Sequence, residues 1–132
     1  MVQGSVMDFR LPNRIGARID QVGGDPGGYD HNYVLNQPRA GVLNLAARVY
    51  EPGSGRTMEV LTTEPGLQFY TGNFLDGSLV GKSNQRYDKR YALCLEAQHF
   101  PDSVNQPSFP SVILKPGVVY RQTTVHRFGV RR

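Results

Sequence analysis

The sequence predicts an all-β or β-rich domain, and three observations lead there. The chain has 132 residues, the length of one domain, so two independent cores or a separate cofactor domain fit poorly. Fifteen glycines and nine prolines, 24 residues in all, exceed the usual share of about 12% yet stay below the roughly 25% of low-complexity chains. The chain is therefore folded but heavily punctuated. Its longest stretch free of both residues runs only from Lys82 to Phe100, which disfavours a helical bundle, a coiled coil and a membrane-spanning helix.

The elements follow in chain order. Residues 7–20 mix single apolar residues with Pro12 and Gly16 and read as loop, and Gly23, Gly24, Asp25, Pro26, Gly27 and Gly28 make a dense turn. Residues 29–35 predict a short strand. Residues 42–51 and 56–63 flank Pro52, Gly53, Ser54 and Gly55, the pattern of a hairpin with a four-residue loop. Residues 67–72 and 91–98 predict two more strands, joined by a polar connection from Asn73 to Arg90. A proline-rich passage spans 101–110, and Lys115, Pro116 and Gly117 turn the chain into a last run at 118–128. There Val118, Tyr120, Gln122, Thr124, His126 and Phe128 share one face, and Arg121, Thr123 and Arg127 lie on the other, which predicts a half-buried strand.

Fifteen basic against eleven acidic residues give a formal charge of +4, which favours solubility without pointing to a nucleic-acid partner, since the basic residues are scattered. The cluster Arg127, Arg131 and Arg132 reads as a solvated end. The first residues, MVQGSVMDFRLPNR, hold no apolar run of signal-peptide length and no glycine at position two. A soluble cytoplasmic chain with no membrane contact is the expectation. The single Cys94 excludes an internal disulfide and agrees with a reducing compartment. Between Leu93 and Leu95 it reads as a buried thiol.

Three segments could carry chemistry. In residues 91–98, period-two geometry sends Leu93 and Leu95 one way and Ala92, Cys94, Glu96 and Gln98 the other. Glu96 held beside small neighbours would be partly desolvated, a better proton acceptor near neutral pH; the alternative is a strand-end glutamate facing water. In residues 62–73 a tight turn precedes a strand with an amide and two aromatics. Gln68 can donate to and accept from a sugar hydroxyl while a ring covers an apolar sugar face, or it is simply a satisfied polar residue of a sandwich strand. In residues 27–35, Asp30 and His31 project to opposite sides of a regular strand and are not one catalytic pair. Asp30 could orient vicinal hydroxyls, or serve as turn chemistry after Gly27-Gly28.

Other templates do not fit. There is no phosphate-binding loop, no G-x-S-x-G elbow and no H-E-x-x-H, and His31, His99 and His126 lack metal-motif spacing. Each histidine reads as a surface or interface residue. A glycosidase would need two facing carboxyl groups, which Asp30 and Glu96 supply only if folding brings them together.

These segments together resemble the aldose 1-epimerases. The resemblance rests on Gly28-Tyr29-Asp30-His31-Asn32, on TEPGLQFYTGNF from Thr63 to Phe74, on Cys94-Leu95-Glu96 with Gln98, and on Phe100-Pro101-Asp102, Asn105, Phe109-Pro110 and Lys115-Pro116-Gly117. It covers nearly the whole chain in the family's order. It implies an antiparallel β-sandwich, residues 1–132 forming one domain that corresponds to the C-terminal portion of a larger supersandwich. It also implies Glu96 as general base, Asp30 and Gln68 as contacts to sugar hydroxyls, an aldose such as galactose or glucose as substrate, and no metal or organic cofactor. The family's general-acid histidine lies in an N-terminal part that this stretch does not match, so no residue here inherits that role, and another chain could supply it. The competing expectations are a non-catalytic sugar-binding remnant and a partial gene product without independent function.

Overall fold

The computed structural model describes residues 1–36 and 41–131. Six strands appear in chain order: β1 Asp30–Val34, β2 Asn44–Tyr50, β3 Arg56–Thr62, β4 Gly66–Tyr70, β5 Cys94–Gln98 and β6 Thr124–Val130. They form two three-stranded sheets, ordered β1-β4-β5 and β2-β3-β6. The helical turns among the described residues are three-residue 3-10 segments at Ile15–Ala17, Ile19–Gln21 and Lys82–Asn84. The chain is all-β, as the glycine and proline punctuation predicts. No helix among the described residues is long and apolar enough to cross a membrane.

The chain divides into two compact units, Met1–His31 with Phe69–Cys94, and Asn32–Gln68 with Leu95–Arg132. The first is built around an aromatic cluster. Tyr29 is fully buried; its ring stacks on Phe69 at 5.2 Å between centroids, and Phe9 meets both rings edge-on. The Tyr29 hydroxyl donates to the Val6 carbonyl at 3.0 Å. Its main chain is held as firmly: the Tyr29 N–H donates to Thr71 Oγ1, and its carbonyl accepts from the Thr71 N–H and from Asn73 Nδ2. Thr71 and Asn73 are buried, and these bonds satisfy polar groups that would otherwise be costly there. Gly28 precedes them at φ +107°, where an added Cβ would lie 2.3 Å from Asn73 Oδ1, so only glycine fits.

The second unit contains the hairpin that the sequence predicts. β2 pairs antiparallel with β3, Arg48 opposite Glu59, with one irregularity between Leu45 and Ala47. The loop closes through the Glu51 N–H to the Arg56 carbonyl and the Gly55 N–H to the Glu51 carbonyl, each 2.9 Å. The Glu51 carboxylate accepts from the Ser54 hydroxyl and from the Gly53 and Ser54 N–H groups, which holds its pKa below the ordinary value. Gly55 takes φ +74° at the loop's end, where a Cβ would meet the Arg131 carbonyl at 2.5 Å.

β6 pairs antiparallel with β3 from Thr124 opposite Thr62 to Val130 opposite Arg56. The expected strand at 118–128 is thus displaced: it starts at Thr124 and runs on to Val130. The reason lies in its partner. β3 ends at Thr62, and the Thr63 N–H to Thr123 carbonyl and Thr123 N–H to Thr63 Oγ1 bonds close the ladder. Beyond it, Glu64 turns into Pro65, which has no N–H to offer. The expected half-buried face is also corrected, since Phe128 is 75% exposed and His126 is exposed. β5 is shorter than expected at its start, because Arg90 at φ +68° and a Tyr91 N–H to Asp88 carbonyl bond make a turn there. Arg127 is more than a solvated end: it and Arg48 both reach Glu59, at 3.1 and 2.7 Å. Arg131 lies over the Tyr50 ring, and Arg132 lies outside the described residues.

Candidate active site

Gln68 and Glu96 lie in the same unit, at the middle positions of β4 and β5, neighbouring strands of one sheet. Alternation decides what each presents. In β4, Leu67 and Phe69 are buried while Gln68 and Tyr70 are half-buried. In β5, Leu95 and Ala97 are half-buried while Cys94 and Glu96 are exposed. Both candidate residues therefore occupy the more open face of their strands, as the period-two reading requires. Gly66 permits a close approach at the start of β4: a Cβ there would lie 2.8 Å from Asn32 Oδ1 and 3.0 Å from the Gln98 carbonyl.

One expectation is corrected at this point. Cys94 is exposed, because it shares the open face with Glu96 while Leu93 and Leu95 take the opposite one. Glu96 is exposed as well, the water-facing outcome that the pattern also allowed.

Asp30 falls in the first unit, where it opens β1 directly after the anchored Gly28 and Tyr29. Its side chain is exposed, and its backbone N–H donates to His31 Nδ1 at 3.0 Å. That bond occupies the imidazole nitrogen as an acceptor, so His31 is turned to the main chain. A cleft of about 700 Å³ in the same unit, lined by Asp25, Pro26, Asn73, Phe74, Leu75, Asp76, Asp88 and Lys89, holds none of the three candidates. Among the described residues no group of three or more His, Cys, Asp or Glu converges as a metal site would.

A second polar group lies in the unit of Gln68 and Glu96, and no sequence motif marks it. Glu64 is only 4% exposed; its Oε2 lies 2.6 Å from His99 Nδ1, and its Oε1 accepts from the Tyr120 hydroxyl at 3.1 Å. His99 is thus a half-buried, paired residue, unlike the exposed His31 and His126. Partial burial of the hydroxyl, then the Glu64 bond and charge, raise the Tyr120 phenol above its ordinary value, although the residue as a whole is largely exposed. Glu64 before Pro65-Gly66 looks like turn chemistry in sequence. No local spacing announces a contact between residues 35 positions apart.

The all-β fold and this arrangement of motif residues define a class, and comparison with known proteins identifies it. The sequence model of the family described as aldose 1-epimerase matches residues 1–127, and the chain belongs to that family. Among individual relatives, galactose mutarotase of Bos taurus is 49% identical over 129 residues and that of Homo sapiens 46%. Both alignments cover 98% of this chain and 36% of the relative. Aldose 1-epimerase of Escherichia coli K12 is 34% identical over 131 residues, covering 96% of this chain and 37% of the relative. The chain thus spans little more than a third of the length of these relatives.

Proposed function

We propose that these residues carry the base and part of the sugar site of an aldose 1-epimerase, interconverting the α and β anomers of a hexose such as galactose or glucose. The observation that carries the reading is that family membership over residues 1–127 coincides with Glu96 and Gln68 at the centres of neighbouring strands in one unit. In this reading the Glu96 carboxylate takes the proton of the anomeric hydroxyl while an acid protonates the ring oxygen. The bond between the anomeric carbon and the ring oxygen breaks, the aldehyde end rotates, and reclosure gives the other anomer as the two protons are returned. An exposed carboxylate on an open strand face is reachable by such a hydroxyl. Gln68 both donates and accepts, and Asp30 accepts, so each suits a sugar hydroxyl. The 132 residues act as one portion of an aldose 1-epimerase domain, the C-terminal one.

We assign no histidine here as the acid, because the resemblance places that residue in a part of the family that this chain does not match; His99 is engaged by Glu64, and His126 lies on the exposed β6. General acid catalysis is worth about 10² to 10⁴ in rate. Polarimetry of freshly dissolved α-D-galactose with the 132-residue chain should therefore show mutarotation only weakly above the uncatalysed rate, and Glu96→Gln should remove that excess. An excess over the uncatalysed rate that persists in Glu96→Gln would overturn the assignment.

The exposure of Glu96 favours one second reading, a sugar-binding chain without catalysis. It predicts galactose affinity with no excess exchange in the parent, and no change of either in Glu96→Gln.

A further inference from the structure

The Glu64 group joins four passages of one unit, and the reaction proposed above uses none of its side chains. Glu64 follows the end of β3, where Thr62 Oγ1 accepts its N–H at 3.1 Å. It stands two residues before β4 begins at Gly66 and four before Gln68. His99 directly follows the last residue of β5 and lies three beyond Glu96. Tyr120 comes from the segment that leads into β6. The Pro65 carbonyl also accepts the Leu35 N–H at 3.0 Å, so the same turn ties down the exit of β1.

Enclosing a carboxylate is costly unless hydrogen bonds satisfy it, and an apolar pair of similar volume usually stabilises a buried contact as well or better. What the carboxylate adds is direction. As an acceptor it fixes the His99 ring on one oxygen and the Tyr120 hydroxyl on the other, and charge-assisted bonds of this kind hold geometry closely.

We propose that Glu64, His99 and Tyr120 are positioning residues of the sugar site, clamping the entry of the strand that bears Gln68 to the exit of the strand that bears Glu96. Their role is to fix the separation between the hydroxyl contact and the base. The proposal rests on the functional reading above, and its test separates the two.

The test uses the full 132-residue chain, isotope-labelled, with D-galactose as the probe. Galactose affinity by NMR titration and amide hydrogen exchange at 66–68 and 95–98 are measured in the parent, His99→Leu and His99→Asn. In His99→Leu, affinity should fall about tenfold and those amides should exchange about tenfold faster, the scale of losing a hydrogen bond to a charged group. His99→Asn, whose side-chain amide can donate to Glu64 Oε2, should restore affinity to within about threefold of the parent. An unchanged affinity in His99→Leu overturns the proposal, as does an affinity loss that asparagine fails to restore. If His99→Leu does not fold, Tyr120→Phe removes only the second donor; about a threefold loss is expected there, and none overturns the proposal. A parent that binds no galactose removes the functional reading and the proposal with it, whereas parent binding insensitive to His99 removes the proposal alone.

Discussion

Tyr29 in the aromatic cluster of the first unit and strand β6 of the second both have their main chain hydrogen-bonded, yet they are opposite in their packing. Tyr29 is 0% exposed and Phe69 8%, with the Tyr29 N–H, carbonyl and hydroxyl all hydrogen-bonded, whereas Phe128 and Val130 are 75% and 69% exposed on a strand whose ladder with β3 is continuous. Ladder bonding and side-chain burial are therefore separate achievements. The first needs only a neighbouring strand of the right length; the second needs a layer over the face, and apolar side chains gain by burial only where such a layer exists. Leu45 and Tyr50 of β2 share the condition of β6, each more than a third exposed in the same sheet.

This contrast can be broken most forcefully at Tyr29. Tyr29→Ala should cost about 4 kcal/mol, the range for emptying a buried aromatic site, read as a lower urea midpoint; a cost near zero would mean that the cluster is not a core. Gly28→Ala comes next, at about 2 to 3 kcal/mol, since it combines a left-handed backbone with a clash against Asn73.

The β2-β3-β6 sheet should respond to pH instead. The Arg48 hydrogen bond foremost, then the Arg48 and Arg127 charges, hold the Glu59 carboxyl below its ordinary 4.5. A depressed folded pKa stabilises above the unfolded value, and that contribution is lost as pH falls through 4.5 and below. The melting temperature should thus fall on acidification more in the parent than in Glu59→Gln, and equal slopes would remove Glu59 from the account. The smallest effect belongs to Phe128→Ala, within about 0.5 kcal/mol as for other exposed positions. A loss rivalling that at Tyr29 would mean that β6 is covered in solution.

The same distinction explains what the sequence revealed. The hairpin is legible because its determinants are local: Pro52 to Gly55 form the loop, and Glu51 closes it with contacts two and three residues away. The split of β5 into Leu95 and Ala97 against Cys94 and Glu96 is legible because pleating alone imposes it. How deeply either face is buried is not, which is why Cys94 reads as buried between two leucines and yet stands exposed. The start of β6 depends on where β3 stops, and the pairings of His99 with Glu64 and of Arg127 with Glu59 depend on residues 35 and 68 positions away. Alternation within a segment cannot supply those distances. Residue type, strand face and family resemblance mark Asp30, Gln68 and Glu96 in the sequence, whereas only its contacts mark Glu64.

The most direct test of the central claim is an NMR titration of the labelled chain with D-galactose, alongside its Glu96→Gln and Gln68→Ala variants. The account predicts saturable shifts around positions 68 and 96 in the parent, a clear weakening in Gln68→Ala, and retained binding in Glu96→Gln together with loss of any excess anomer exchange. Shifts confined to the 73–91 connection, or no saturable response at 68 and 96, would contradict it.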